Sequence, residues 1–301
     1  MSALAVTCLI ESAAVDHRMR FIPGEFTPLY YTQSYRALTE EQRLRYNQLQ
    51  ALYFNEQIIF FETAIGRKVL EALLRNSLPS ELKKGLRQFL EEEKQHTEMF
   101  WQLNQQCAPH FYRAGYFYFI ETPRAWMAVL NWAAQRPKLF PMFLWLMLLQ
   151  EERSLFYSRR VIAQREEFEP HFVKTHRTHL ADEVGHVRWD VELIEELWER
   201  TNPFLRKVNA ELFGWMLGEF FNGPKRAQLK VVHELTHEFP ELAELEPEMQ
   251  RQLLALSEDG DYQSSLYSRE IVPRAFARFD ASPEFQSLVL SGYRRRPEVA
   301  R

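Results

Sequence analysis

The segment His179-Leu-Ala-Asp-Glu-Val-Gly-His186 decides the fold of this 301-residue chain. On a helix, residues i, i+4 and i+7 share one face, so His179, Glu183 and His186 present two imidazoles and a carboxylate along one stripe. A second segment, Glu93-Lys-Gln-His96, repeats the Glu-x-x-His pair. A single Glu-x-x-His is a weak signal, and the surrounding spacing must support any functional interpretation.

The two Glu-x-x-His pairs end two matched intervals. Glu62 precedes Glu93 by 31 residues, and Glu152 precedes Glu183 by 31 residues. A proline-containing turn signal lies near the middle of each interval. About 14 helical residues extend for about 21 Å, so each interval predicts an antiparallel hairpin that brings its two glutamates level with each other.

Two such hairpins predict a four-helix bundle with a carboxylate–histidine di-metal site. A Glu from each of two helices, with Glu-x-x-His from each of the other two, is the pattern of di-iron and di-manganese bundles. The carboxylate-rich set without thiolates favours iron over zinc. His179 adds a third histidine to this pattern. The predicted metal ligands are Glu62, Glu93, His96, Glu152, His179, Glu183 and His186.

Glu56 and Glu151 are alternative candidates near Glu62 and Glu152, and the positions of apolar residues along the helices decide between them. Glu62 and Glu152 lie on stripes of apolar residues, where an unpaired carboxylate would be costly to bury and metal coordination would compensate for it. Glu56 and Glu151 fit those stripes less well, so we predict that they are not ligands.

Two further carboxylates are expected beside the ligand histidines. Metal-bound imidazoles usually donate their second ring N–H to a carboxylate or carbonyl. Across the bundle, we expect Asp182 to hold His96 and Glu92 to hold His186.

Composition supports a helical, globular chain. Apolar residues make up 46%, charged residues 26%, and only 10 glycines occur. No convincing period-2 apolar segment is present, so we predict an all-α four-helix bundle with additional flanking helices. One domain is expected over residues 1–301, with a bundle core at about 39–200 and a C-terminal helical extension at about 203–295. Helices are predicted at about 39–75, 80–106, 123–135, 141–165, 170–200, 204–221, 224–238, 247–257 and 283–291.

Charge and cysteine usage limit the partners. The net charge of −4 is interspersed and gives no nucleic-acid footprint. No apolar run is long enough to span a membrane, and residues 1–10 lack the basic start of a signal peptide. Two cysteines, Cys8 and Cys107, indicate no disulfide framework. We therefore expect a cytoplasmic protein without a membrane or nucleic-acid partner.

A rival motif occurs in the C-terminal extension. His233-Glu-Leu-Thr-His237 matches the zinc-peptidase pattern His-Glu-x-x-His. Pro240 follows one turn later, no Gly-x-x-His comes next, and no strand pattern supplies the usual sheet. The zinc metallopeptidase remains a remote alternative.

The bundle motifs resemble those of the di-iron arylamine N-oxygenases, the p-aminobenzoate N-oxygenase-like family. Glu62, Glu93-x-x-His96, Glu152, His179 and Asp182-Glu183-x-x-His186 carry the resemblance, which covers about residues 25–225. The chain departs from the pattern at Glu92-Glu93, where an Asp-Glu pair is expected.

The resemblance implies a ferritin-like four-helix bundle and an O₂-dependent oxidoreductase. Two iron ions would be the cofactors, O₂ a co-substrate, and a ferredoxin or reductase the electron donor. A small organic amine, taken by N-oxygenation to the hydroxylamine or nitro level, would be the substrate, and a homodimer is compatible with the family. The alternatives are a di-iron hydroxylase or desaturase acting at carbon and a ferroxidase-type iron-binding protein.

Overall fold

The first long helix of the chain starts at a capping box. The Thr39 side chain accepts a hydrogen bond from the Gln42 backbone N–H, and the Gln42 side chain accepts one from the Thr39 N–H. These bonds satisfy N–H groups that a helix start leaves unpaired. The computed structural model describes residues 14–221, 223, 225–285, 288 and 293. In it the helix begins at Glu40, one residue after the predicted start at residue 39.

Four long helical segments form the bundle. The first is continuous through a π-helical turn, and the fourth ends in another. A short helix α1 precedes the bundle, and α5 lies in the connection between its two hairpins. The bounds are α1 (Gln33–Ala37), α2 (Glu40–Phe61), the π turn Glu62–Gly66, α3 (Arg67–Leu74), α4 (Ser80–Cys107), α5 (Arg124–Ala134), α6 (Met142–Ala163), α7 (Pro170–Leu193) and the π turn Ile194–Trp198.

The helices pair as two hairpins, as predicted. α2 packs on α4, α6 packs on α7, and α4 contacts α7 to join the hairpins. Every residue from Met142 to Leu149 is buried, so the first two turns of α6 are covered on all sides. Within the described residues no strand forms, apart from one isolated bridge between Arg20 and Phe168. The all-α, ferritin-like prediction is confirmed.

The π turn after α2 lies beside the buried glutamates of the bundle interior. Such turns carry one extra residue and occur frequently at functional sites. Glu62 is the first residue of this turn and Gly66 is the last. A Cβ atom on Gly66 would lie 3.2 Å from Glu93 Oε2, so the glycine leaves room for that carboxylate.

The C-terminal extension packs on the bundle. α9 covers α2, and α12 covers α6. The sequence patterns missed α11 and α12, which are only 7 and 9 residues long. Of the helix predicted at 283–291, a short 3₁₀ turn forms at Pro283–Phe285, and residues 286–287 and 289–292 lie outside the described part. The bounds are α8 (Pro203–Phe220), α9 (Arg226–Glu238), α10 (Glu246–Ala255), α11 (Gly260–Leu266) and α12 (Pro273–Ala281).

The structure bears on two expectations from sequence, that no segment spans a membrane and that the cysteines form no disulfide framework. In the portion that the structure describes, no helix combines the length and apolar character needed to cross a membrane. Cys107 is buried and carries a free thiol. Cys8 and the first ten residues lie outside the described part.

Gly85 provides a test of the close packing between α4 and α7. A Cβ atom there would lie 2.4 Å from Trp189 Nε1, and the indole is itself packed against Phe89 and His186. We expect Gly85→Ala to destabilise the fold by about 1–3 kcal/mol in urea titration, because the ring cannot move without repacking.

Gly218, on the exposed side of α8, is the matched control. A Cβ there meets nothing within 4 Å. Gly218→Ala should therefore stabilise the protein by up to about 1 kcal/mol through helix propensity alone. Equal effects of the two substitutions would contradict the α4–α7 packing.

Candidate metal centre

The bundle brings six of the seven predicted ligand side chains together in its interior. They come from the end of α2, from α4 and from α7, and all are buried. His96 belongs to both of the groups that they form. In each group the potential ligand atoms lie within 4.8 Å of one another; the groups are Glu93, His96, Glu183 and His186, and Glu62, His96 and His179.

The distances between groups on different helices fit a shared centre. His186 Nδ1 lies 3.4 Å from Glu93 Oε1, and His96 Nδ1 lies 3.5 Å from Glu183 Oε1. The third histidine joins them, since His179 Nε2 lies 2.9 Å from Glu183 Oε1 and 3.8 Å from Glu62 Oε1.

Several of these inward-facing atoms have no hydrogen-bond partner. Both carboxylate oxygens of Glu93 and of Glu183 are buried without one, as is Nδ1 of His96 and of His186. His179 Nε2 and Glu183 Oε1 are 2.9 Å apart but are not aligned as a hydrogen bond. Leaving such groups unpaired in the interior costs several kcal/mol in total, at about 1–3 kcal/mol or more each. Metal cations would compensate for this cost. Carboxylate oxygens and imidazole nitrogens without thiolates are the donors typical of di-iron and di-manganese bundles.

The outward ring nitrogens of the two Glu-x-x-His histidines are held as predicted. His96 Nε2 lies 3.1 Å from Asp182 Oδ2, and His186 Nε2 lies 3.1 Å from Glu92 Oε2. A carboxylate at Nε2 favours the N–H on that nitrogen and leaves the Nδ1 lone pair directed inward. Both rings are therefore oriented as metal ligands require.

His179 is oriented by a residue that the sequence did not suggest. Ser154 Oγ lies 3.4 Å from His179 Nδ1, which leaves His179 Nε2 facing Glu62 and Glu183. Ser154 lies on α6, three residues after Glu151, and a lone serine in a helix gives no signal by itself.

Glu152 is the predicted ligand that the bundle does not bring to the cluster. Its oxygens accept hydrogen bonds from the backbone N–H groups of Arg274 and Ala275, at 3.0 and 2.8 Å, in the first turn of α12. Its neighbour Glu151 instead lies inside, with Oε2 3.9 Å from His186 Nδ1. In this structure the α6 carboxylate beside the cluster is therefore Glu151 and not the predicted Glu152.

Glu56 has a structural task, in agreement with its exclusion from the predicted ligands. Its carboxylate accepts hydrogen bonds from the Tyr112 hydroxyl and from the backbone N–H groups of Tyr118, Phe119 and Ile120. This buried carboxylate fixes the loop that follows α4.

Burial sets the protonation of the cluster. Desolvation, followed by repulsion from Glu183, raises the pKa of Glu151 to about 8. Desolvation also raises the pKa values of Glu62 and Glu93. Desolvation opposes the charge on His96, but the hydrogen bond to Asp182 and the nearby Glu93 carboxylate outweigh it and raise the pKa of His96 to about 10. Without a cation, protons must neutralise these carboxylates.

Two more polar residues extend the α7 stripe beyond the predicted set. Asp190, one turn after His186, is fully buried and neither carboxylate oxygen has a hydrogen-bond partner. His176, one turn before His179, places Nδ1 3.1 Å from Ser158 Oγ. Their spacing of three to four residues from predicted ligands was the available sequence signal.

A cavity adjoins the cluster on the side of α2 and α6. Three candidate metal-binding side chains reach it, Glu62, Glu151 and His179. Its walls are largely aromatic and apolar, and polar groups from α2 and α6 complete them. The other lining residues are Phe54, Gln57, Ile58, Phe61, Gln150, Arg153, Ser154, Tyr157 and Phe221.

The rival motif on α9 does not form a metal site within the described residues. His233 and His237 are exposed, and His233 Nδ1 pairs with Glu246 at 3.1 Å. Glu234 accepts a hydrogen bond from the Tyr118 hydroxyl at 2.5 Å. These contacts give the motif a structural role between α9 and its neighbours.

Comparison with known families agrees with the bundle and its cluster. A family model described as p-aminobenzoate N-oxygenase AurF matches residues 11–257. The chain belongs to the AurF family. The match contains all four bundle helices, and it ends before α11 and α12 begin. A search of curated proteins finds no match.

Membership of the AurF family assigns a class of chemistry. The family is one of oxygenases, so the chain is an oxidoreductase. The family-level resemblance drawn from the α7 stripe is confirmed. The buried histidines and carboxylates form clusters that are compatible with a metal centre of this family.

The protonated cluster predicts how pH affects the metal-free protein. Glu151 and His96 have folded-state pKa values of about 8 and 10, against ordinary values of 4.5 and 6.5. Between pH 6.5 and 8, Glu151 and His96 stay largely protonated in the folded protein, whereas the same groups of the unfolded chain are already deprotonated or lose their protons. The free energy of unfolding should therefore fall as the pH rises. The expected loss is about 2 kcal/mol for each retained proton, measured by urea titration.

Loading with Fe²⁺ provides the comparison. A metal ion displaces the protons and binds more tightly as pH rises, so the loaded protein should not lose stability in this range. A metal-free protein whose urea midpoint stays constant or rises from pH 6.5 to 8 would contradict the protonation of the cluster.

Proposed function

We propose that this protein is a di-iron oxygenase that transfers oxygen to the nitrogen of an arylamine. The observation that carries the proposal is the set of unpartnered carboxylate and imidazole atoms directed at one another beside an aromatic cavity. The AurF family, whose model bears the name of a p-aminobenzoate N-oxygenase, supports the type of reaction.

The proposed ligand set contains three histidines and four glutamates. It differs from the set predicted from sequence only in replacing Glu152 by Glu151. Asp182, Glu92 and Ser154 would keep the three imidazoles in position. The proposed ligands are Glu62, Glu93, His96, Glu151, His179, Glu183 and His186.

Iron rather than zinc suits the proposed reaction. Two bound ferrous ions would supply electrons for the reduction of O₂, which zinc cannot do. The chain itself contributes a buried interior and a ligand set that would be neutralised when the metal binds. Each oxygenation of an amine to a hydroxylamine consumes O₂, two electrons and two protons and releases water. The electrons would come from an external donor.

The cavity determines which molecules can reach the centre. Phe54, Phe61, Tyr157 and Phe221 provide aromatic surfaces that suit a flat ring. Glu62, Glu151 and His179 lie on the same cavity, so a substrate between the aromatic side chains would present one end to the centre. An amine at that end would undergo N-oxygenation.

Metal content tests the corrected ligand set. Glu151→Ala should lower the iron bound per chain after anaerobic loading, because it removes a carboxylate that lies beside His186. Glu152→Ala should retain the iron but destabilise the fold by about 1–3 kcal/mol, since two N–H groups of α12 lose their acceptor. The opposite pattern, iron lost with Glu152 and retained with Glu151, would refute the assignment.

Single-turnover oxidation tests the function. Chemically reduced, iron-loaded protein is mixed with O₂ and with 4-aminobenzoate or 4-methylaniline, and the products are identified by mass spectrometry and NMR. We expect the hydroxylamine or a more oxidised nitrogen product, absent from the Glu183→Ala variant.

The other outcomes distinguish the alternatives. Oxidation of the 4-methylaniline methyl carbon would indicate a hydroxylase. Iron oxidation with unchanged amine would indicate a ferroxidase. Either result would overturn the proposal of N-oxygenation.

A further inference from the structure

The helix between the two hairpins, α5, has an apolar side that the described chain leaves uncovered. Towards the protein, Met127 is partly buried and Ala134 is buried. On the opposite side, Trp126 and Trp132 are each 50% exposed and Val129 is 57% exposed. A helix that is apolar on all sides is normally buried on all sides, so the outer side of α5 is suited to a partner.

The helix α8 extends this apolar surface. Trp215 and Phe220 are 51% and 49% exposed, and their ring centres lie 5.8 Å apart. Trp126 of α5 joins them, because its ring centre lies 6.4 Å from that of Trp215 and 6.1 Å from that of Phe220. Clustered exposed aromatic side chains are typical of binding surfaces. We name this surface the α5–α8 face and define it by Trp126, Val129, Trp132, Trp215 and Phe220.

The rim of the α5–α8 face is cationic, although the whole chain has a net charge of −4. Arg124, Arg136 and Lys138 are exposed at the two ends of α5. No Asp or Glu occurs between residues 121 and 151. The Arg136 guanidinium carbon lies 4.6 Å from the centre of the Trp132 ring, which holds this cation at the edge of the face.

The nearest acids along the chain do not neutralise these cations. Glu121 lies 2.7 Å from Lys230 Nζ, and Glu219 of α8 lies 3.4 Å from Lys225 Nζ. Glu211 is the only other acid in α8, so the three cations beside α5 outnumber it. A positive rim around an apolar centre complements an acidic partner and attracts it from a distance.

The α5–α8 face also lies close to the candidate metal centre. α5 packs on the π turn Glu62–Gly66, whose first residue is a proposed metal ligand. A helix with its side chains is about 10–12 Å across, so one helix separates the face from that turn. Phe221, which follows Phe220 of the face, lines the cavity beside the cluster. A molecule bound on the face would therefore approach the centre without entering the cavity.

We propose that the α5–α8 face is the docking surface for an acidic carrier protein that delivers electrons to the metal centre. The proposal rests on the proposed function, because an oxygenase that consumes two electrons in each oxygenation needs a donor. A reduced iron–sulfur or flavin protein would be oxidised by one electron in each of two encounters, and one ferric ion would be reduced each time. Redox encounters bury small interfaces, which agrees with a face formed by two helices.

Two other occupants of the α5–α8 face agree less well with its features. A second copy of the chain related by a two-fold axis would bring identical patches together, and their cations would repel one another. An anionic lipid surface would accept the tryptophans and the cations. It would give no reason for α5 to lie against the turn that carries Glu62. Each of these occupants predicts a result that would overturn the proposal.

The test measures electron delivery without substrate. Iron-loaded, air-oxidised protein is mixed in a stopped flow with a reduced plant-type [2Fe–2S] ferredoxin, which is an acidic carrier, or with reduced methyl viologen, which needs no docking surface. The loss of ferric absorbance gives each rate. In the double variant Arg124→Glu, Lys138→Glu, we expect reduction by ferredoxin to slow at least about tenfold and reduction by methyl viologen to change less than about twofold. Added salt should slow the ferredoxin reaction of wild type.

Matched variants separate the face from general effects of charge and polarity. The double variant Arg159→Glu, Lys174→Glu reverses two exposed cations on α6 and α7 and should leave both rates unchanged. Val129→Ser should slow the ferredoxin reaction at least about threefold, because it removes an apolar contact of the face. Leu254→Ser, at a similarly exposed apolar position on α10, should not slow it.

Several results would overturn the proposal. They are an unchanged ferredoxin rate in the Arg124→Glu, Lys138→Glu variant, an equal loss with both reductants, and a wild type that ferredoxin does not reduce. Binding of wild type to phosphatidylglycerol vesicles that is lost in this variant would assign the face to a lipid surface. A dimer in sedimentation velocity that Val129→Ser dissociates would assign it to a second copy of the chain.

Electron delivery and amine oxidation can fail independently. Ferredoxin reduction that depends on the α5–α8 face, in a protein that oxidises no amine, would refute the proposed function and leave the docking surface standing. Amine oxidation by the chemically reduced protein, with a ferredoxin rate that no variant of the face changes, would refute the docking surface alone.

Discussion

The cost of burying several carboxylates at one point governs this structure. Glu62, Glu93 and Glu183 lie in the middle of the bundle, and the oxygens of the last two have no hydrogen-bond partners within the described chain. Such a group of charges is stable only when protons or cations neutralise it. The surrounding features follow from this requirement: histidines face the carboxylates, and Asp182 and Glu92 hold those histidines from outside. A fold that maintains this arrangement is suited to binding metal ions. This agrees with the membership of the chain in the AurF family of oxygenases.

Local backbone features adapt the bundle to its charged interior. The π turn that begins at Glu62 interrupts the regular helix where a ligand candidate enters, and Gly66 at its end leaves space for the Glu93 carboxylate. On α6, successive residues serve different partners. Glu151 faces the cluster, and Glu152 holds the start of α12. Glu152 is therefore one of several contacts that join the C-terminal extension to the ligand helix.

Spacing along the chain was enough to predict the bundle and most of the centre. The equal intervals from Glu62 to Glu93 and from residue 152 to Glu183 fixed two hairpins, because helix length and turn position determine which residues are level. On α6 the structure places Glu151, rather than the predicted Glu152, beside the cluster. The sequence favoured Glu152 because its apolar neighbours were taken to mark the bundle interior. Trp145, one of them, stacks on Phe279 of α12, so α6 is covered on a second side by a helix too short to predict. Ser154 was missed because its contact with His179 is made between helices.

Anomalous diffraction at the iron edge from crystals of the loaded protein tests the central claim most directly. The account predicts two iron peaks inside the bundle between α2, α4, α6 and α7, with Glu151 in contact and Glu152 still bound to the first turn of α12. A bundle interior without iron, with metal bound instead at His233 and His237, would contradict it.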